Sequence, residues 1–198
     1  MFKQSQGEIK MWSISKEFQF CYSHRVFVQK LREDFCSVGD TKCKCRMPHG
    51  HQGLVRVHVT GTELNKQKML LDFKELGVVN DFLDGYLDHK CIVGRDDPLF
   101  YMLVTNFMNE TGVSVLEKPI YMRGCTTVAA YVCDVSAVPD GPIKEYLEGI
   151  VIVDFIPTSE ALAQWVFKLA AEKFKQIDVI VSQVDWEETP KTNASYSE

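Results

Sequence analysis

Five histidines occur in this chain of 198 residues, at positions 24, 49, 51, 58 and 89, and two of them form His49-Gly50-His51. That triplet opens a run, HGHQGLVRVHVTGTEL, whose Val55, Val57 and Val59 alternate as in a half-buried strand. Residues i and i+2 of a strand share a face, so both imidazoles can converge on one ion, with glycine leaving room between them. Alone, a His-x-His is more often structural than metallic. His24 strengthens it, because it ends the preceding alternating run, EIKMWSISKEFQFCYSHRV, where it shares the parity of Phe18 and Phe20. Antiparallel pairing of the two runs brings the three histidines together. Three neutral nitrogens with a fourth position open describe a catalytic zinc site rather than a closed structural one.

Thiolates compete for the same ion. Cys43-Lys44-Cys45 stands just upstream of the triplet, so a structural Cys-and-His site is the alternative. Lys42, Lys44, Arg46 and a nearby zinc ion are also expected to lower a thiol pKa, which suits a proton-abstracting thiolate. Asp88 and His89 fall where a helix is expected to end, and exposed carbonyls there favour imidazolium. Such a pair is usually a solvated cap, just as Glu187 and Glu188 are readable as surface charges ending a strand. His58 alternates with the valines and reads as structural.

Composition narrows the class. Hydrophobic residues make up 45% of the chain, enough for a substantial core. The 22 basic and 27 acidic side chains give a net charge of -5, the wrong sign for a nucleic-acid binder. A small-molecule substrate is expected instead. No apolar run reaches the roughly 20 residues needed to span a bilayer, and MFKQSQGEIKMW lacks the apolar centre of a signal peptide. No membrane partner is expected, and the compartment expected is the cytoplasm. Seven cysteines, an odd number, are read as reduced thiols, mostly packing residues.

The elements that position these residues are legible by periodicity. The alternating runs at 8–26 and 49–64 are two strands joined by a polar, cysteine-rich loop that carries SVGD. In LLDFKELGVVNDFLDGYLDHK, Phe73, Leu76, Val79, Phe82, Leu83 and Leu87 have helical spacing, with Asp72 as expected N-cap. A second helix follows Thr158, with Ala161, Leu162, Trp165, Val166 and Leu169 as its stripe and Glu160 in the positive first turn. GIVIVDF before it is expected as a buried strand, and IDVIVSQVDWEETP as an alternating one. Residues 91–147 read as an insertion, folding as a short helix and a strand pair, and the polar tail from about 191 to 198 is expected to be mobile. The whole is one domain over 1–198.

Taken in order, FQFCYSHRV, CRMPHGH, LLDFKELG with LDHK, IPTSEALA and WEETP resemble the 6-pyruvoyltetrahydropterin synthase and 6-carboxytetrahydropterin synthase family. None of these pieces would suffice alone; as an ordered set they are specific. The resemblance implies an α+β tunnelling fold, a small antiparallel sheet with two helices on one face. It implies zinc on His24, His49 and His51, a cysteine base, an Asp88-His89 proton relay, and Glu188 anchoring the pterin of a pterin triphosphate substrate. It also implies a homo-oligomer with active sites between subunits, the Asp-His pair coming from the neighbour. In the carboxy-forming branch the cysteine precedes the first histidine of HGH by four positions, as Cys45 does. In the pyruvoyl-forming branch it precedes by six, as Cys43 does. The compact CRMPHGH run and the PTSEALA segment favour Cys45 and 6-carboxytetrahydropterin synthesis from 7,8-dihydroneopterin triphosphate, with pyruvoyl formation or a non-catalytic zinc-stabilised assembly module as alternatives.

Overall fold

The computed structural model describes residues 11–35, 41–177 and 179–198. The start of the first expected strand, residues 8–10, lies outside these, as do Cys36 and the SVGD run at 37–40.

Two long strands, β1 (Trp12–His24) and β2 (His49–Gly61), pair antiparallel along their whole length, from Trp12 opposite Gly61 to His24 opposite His49. The pairing follows from their alternation. Phe18, Phe20, Tyr22, Val55, Val57 and Val59 are buried on one face, and a shift of one residue would turn all of them to solvent. β7 (Ile180–Thr189) joins the other edge of β2, setting Trp186 opposite Val55 and Val184 opposite Val57. Fully burying one such side chain contributes about 1.5–3 kcal/mol.

Between these strands in the chain come α1 (Gly77–Tyr86), β3 (Lys90–Gly94), α2 (Pro98–Thr111), β4 (Leu116–Ile120), β5 (Ala130–Asp134), α3 (Pro142–Glu148), β6 (Ile150–Val153) and α4 (Ser159–Phe174). A final strand, β8 (Thr192–Tyr196), completes an eight-stranded sheet of order β4-β5-β6-β3-β1-β2-β7-β8. The sheet is mixed, because β3 runs parallel to both β1 and β6. The expected antiparallel sheet therefore holds for β1, β2, β7 and β8 and fails at β3.

α1 and α4 lie on one face, as expected, sharing a core with β1, β2 and β7. Along β6 the four apolar residues divide: Val151 and Val153 belong to that core, while Ile150 and Ile152 belong to a second one with Phe100 of α2 and Leu147 of α3. A strand covered on both faces reads as a continuous apolar run, which is why GIVIVDF does not alternate. The segment 91–147 thus holds more than a short helix and a strand pair. It contributes a central strand, two outer strands and two helices on the face opposite α1 and α4.

Two local expectations change. Asp72 accepts a hydrogen bond from the Lys74 main-chain N–H (2.8 Å) while its own N–H donates to Glu75 Oε2 (3.0 Å), so it caps a tight turn. The α-helix itself begins at Gly77, and Phe73 is exposed. The tail expected to be mobile folds back as β8, where Ser195 donates to Asp185 Oδ1 (2.6 Å) and Tyr196 packs edge-on against Phe167 of α4 (5.1 Å). Main-chain pairing and one aromatic anchor hold a segment too polar to announce itself. Among the described residues no helix is long and apolar enough to cross a membrane.

Candidate metal centre and its surroundings

β1 ends and β2 begins at the same edge of the sheet, so register alone sets His24 opposite His49 and Tyr22 opposite His51. The three imidazole centroids lie 4.7, 4.9 and 5.1 Å apart, and one ligand atom from each ring falls within 4.8 Å of the others. His24 is 1% exposed; the other two are partly open.

The tautomers are fixed from behind. A carbonyl only accepts, so His24 Nδ1–H donates to Pro157 O (2.7 Å) and His49 Nδ1–H donates to Met47 O (2.8 Å). Each ring then offers a lone pair at Nε2. His24 Nε2 and His51 Nε2 stand 3.2 Å apart. A tetrahedral zinc with nitrogens at 2.0–2.1 Å holds its donors about 3.3 Å apart, so the spacing fits the ion. Burial lowers the pKa of both His24 and His51, keeping the imidazoles neutral and able to ligate. The donor set and its carbonyl supports suit zinc.

Below the histidines lies Tyr22, its ring 5.4 Å from His24 and 5.5 Å from His51. The fully buried Trp186 donates its indole N–H to Tyr22 Oη (2.8 Å), and burial holds the phenol well above its ordinary pKa. Tyr22 shares the parity of His24 on β1, which is the signal by which sequence could have found it. The glycine that makes room is Gly53 rather than Gly50. A Cβ at 53 would come within 2.7 Å of the Tyr22 ring, whereas one at 50 would meet only Tyr22 O, at 3.4 Å. Pro157 is a second residue missed: the PTS segment both starts α4, through Thr158, and supplies the carbonyl that orients His24.

Glu188 shares the parity of Trp186 on β7, and its Oε1 lies 3.4 Å from His24 Nε2. Since burial keeps His24 neutral, this is a carboxylate facing a nitrogen that could ligate a metal rather than a formed ion pair. Glu187 turns to the other face, where Arg56 Nη1 is 3.4 Å away. A cleft of about 420 Å³ runs along that face past Gln19, Gln52, Leu54 and Glu187 and meets the centre at His51 and Glu188. His58, read as structural, bonds the buried Asp185 there (2.7 Å).

Cys43 caps, and Cys45 sits within, a short 3-10 turn, Lys44–Arg46, on the chain leading into His49. Burial, the neighbouring Cys43 thiol and the Glu188 charge all push the Cys45 thiol up. The expected lowering by Lys42, Lys44 and Arg46 does not appear: Arg46, for one, donates to Gln29 O (3.2 Å).

Asp88 and His89 stand apart. Asp88 Oδ1 accepts the Cys21 N–H (2.8 Å), Oδ2 accepts from His89 Nδ1 (2.8 Å), and both bonds lower the carboxyl pKa. Cys21 is three residues back from His24, about 10 Å along the strand. The dyad is built, with the His89 side chain 79% exposed and its backbone at φ 58°, but it is not part of the histidine cluster of its own chain.

The family model of 6-pyruvoyl tetrahydropterin synthase matches residues 13–198. The chain is similar to the 6-carboxy-5,6,7,8-tetrahydropterin synthase of Aquifex aeolicus, at 27% identity over 195 residues that cover 94% of this chain and 98% of that one. Among solved structures it is similar to an uncharacterised protein of Wolinella succinogenes, with 36% identity, a TM-score of 0.80 and coverage of 96% and 99%. The 6-pyruvoyl tetrahydropterin synthase of Plasmodium falciparum shares the fold, with a TM-score of 0.53 at 14% identity and coverage of 95% and 98%. Matched along nearly its whole length and in its architecture, the chain belongs to the 6-pyruvoyl tetrahydropterin synthase family, a family of pterin lyases.

Proposed function

We propose that this protein is a zinc-dependent 6-carboxy-5,6,7,8-tetrahydropterin synthase, converting 7,8-dihydroneopterin triphosphate with release of acetaldehyde and triphosphate, in the biosynthesis of 7-deazaguanine precursors of queuosine. The observation that carries the reading is the cluster of His24, His49 and His51, two of them tied at Nδ1 to carbonyls, beside Glu188 and the Cys43-Cys45 turn. When bound, zinc supplies positive charge that polarises oxygens on the substrate side chain and acidifies its carbon-bound protons. Cys45 removes such a proton through the thiolate fraction of a thiol that its surroundings hold up. Asp88 orients His89 through Nδ1, leaving Nε2 free to relay a proton. Glu188 accepts two hydrogen bonds from the adjacent ring N–H and amino group of the pterin, a pairing an apolar pocket cannot supply.

Because Asp88 and His89 lie outside the histidine cluster of their own chain, the reading includes a homo-oligomer in which they face a neighbour's metal centre. The carboxy-forming branch is favoured by the four-residue step from Cys45 to His49 and by the likeness to the Aquifex aeolicus protein. The contact between Cys43 and Cys45 favours keeping pyruvoyl formation, with Cys43 as base, as the second reading. Mass spectrometry of the products separates the two. Acetaldehyde and a carboxypterin support the first reading; a product that keeps its side-chain carbons after triphosphate loss supports the second, and no turnover by zinc-loaded protein overturns both.

A further inference from the structure

Two neighbouring thiols on the chain leading into the histidine cluster are more than a base and its neighbour. Cys43 and Cys45 are both partly exposed, and the Cys43 thiol is near enough to act on that of Cys45. Cys43 is extended (φ -75°, ψ 143°), and the 3-10 turn that follows, closed by Arg46 N–H donating to Cys43 O (3.2 Å), bends the backbone between the two cysteines. One residue of 3-10 turn between two Cα atoms keeps them roughly 5 Å apart, inside the range a disulfide spans. The other described cysteines are placed differently. Cys133 is buried and its thiol pushed up to about 11, Cys125 donates to Leu169 O, Cys91 is also raised by burial, and Cys21 sits on β1.

We propose that Cys43 and Cys45 form a reversible intramolecular disulfide that removes the base from the site while leaving the three histidine ligands intact. Its effect on turnover rests on the functional reading above; its formation does not. The oxidant is a low-molecular-weight disulfide of the glutathione type. One cysteine thiolate attacks a sulfur of that disulfide, an S–S bond forms and one thiolate leaves. The second cysteine thiolate then attacks the protein sulfur of the mixed disulfide, closing Cys43 Sγ–Cys45 Sγ and expelling the second thiolate. Two cysteines are oxidised by two electrons, the small disulfide is reduced to two thiols, and those thiols take up the two protons. A ring spanning a single intervening residue is strained, and strained disulfides have the higher potentials that make them reducible and regulatory.

The test uses the full-length zinc-loaded protein, treated with glutathione disulfide, alkylated, digested and mapped by mass spectrometry. The expected result is a peptide with Cys43 linked to Cys45 and two hydrogens lost, restored by dithiothreitol, with zinc content unchanged. Cys43→Ser should instead accumulate a stable glutathione adduct on Cys45 that the natural sequence resolves. Cys43 and Cys45 remaining alkylatable, holding separate adducts, or pairing with another cysteine such as Cys36 overturns the proposal. Turnover is read on the same samples. If the link forms but the reduced protein has no turnover, the thiol pair stands and the functional reading falls. If the reduced protein is active and the linked protein equally so, the switch falls.

Discussion

The two candidate sites beside β1, the histidine cluster and the Asp88-His89 pair, are built on opposite plans. At the junction of β1 and β2, His24 is sunk in the sheet at 1% exposure, His24 and His49 are tied to main-chain carbonyls, and Tyr22 and Trp186 form the floor. At the corner between α1 and β3, Asp88 is fastened to the Cys21 N–H, yet it holds His89 out, with 79% of its side chain in solvent. A ligand set for a cation gains from rigid, desolvated support; a proton relay needs only a fixed tautomer and access to a partner. The contrast is between a buried, internally supported cluster and an exposed pair, and in the proposed reading the second is completed by a neighbouring chain.

Removing a ligand should break the first half outright. His24→Ala is expected to drop zinc from one ion per chain to near zero by elemental analysis, with activity falling below detection. His89→Ala should lower turnover by about 100-fold or more, the usual weight of general acid–base catalysis, with zinc content untouched. If His89→Ala also loses the metal, the two halves are not separate. Tyr22→Phe leaves the buried Trp186 N–H without its acceptor and should cost about 1–3 kcal/mol in denaturant unfolding, a floor effect the exposed dyad does not share. The halves also differ in pH response. His24 and His51 have folded pKa values below the ordinary 6.5, so in the metal-free protein these two rings bind fewer protons folded than unfolded. Their contribution to stability should be constant above 6.5 and fall as pH drops below that towards the folded values, while the Asp88 contribution, with a folded pKa below 3.8, is lost only in stronger acid. Denaturant midpoints between pH 8 and pH 5 check this, and His51→Ala should flatten the slope.

Much of this was readable in advance because it depends on strand parity and register. Alternation in β1 and β2 set His24, His49 and His51 on one face, and the Thr158 cap and its stripe located α4. Periodicity could not reveal that β3 runs parallel to β1, since strand direction depends on where the chain returns. It could not distinguish β8 from a loose tail, because β8 is held by main-chain pairing. Pro157, Gly53 and Tyr22 escaped for a related reason: each acts on a residue distant in sequence, through a carbonyl, a missing Cβ or a ring face. The cations around Cys45 misled, because charge near in sequence is not charge near the thiol.

The separation of the two halves is tested most directly by mixing subunits. His24→Ala and His89→Ala chains, each inactive alone, are combined under conditions that exchange subunits, and turnover of 7,8-dihydroneopterin triphosphate is followed by acetaldehyde release. With metal and dyad supplied by different chains, random pairing restores about a quarter of the natural activity. Hybrid oligomers that stay as inactive as their parents would contradict the account.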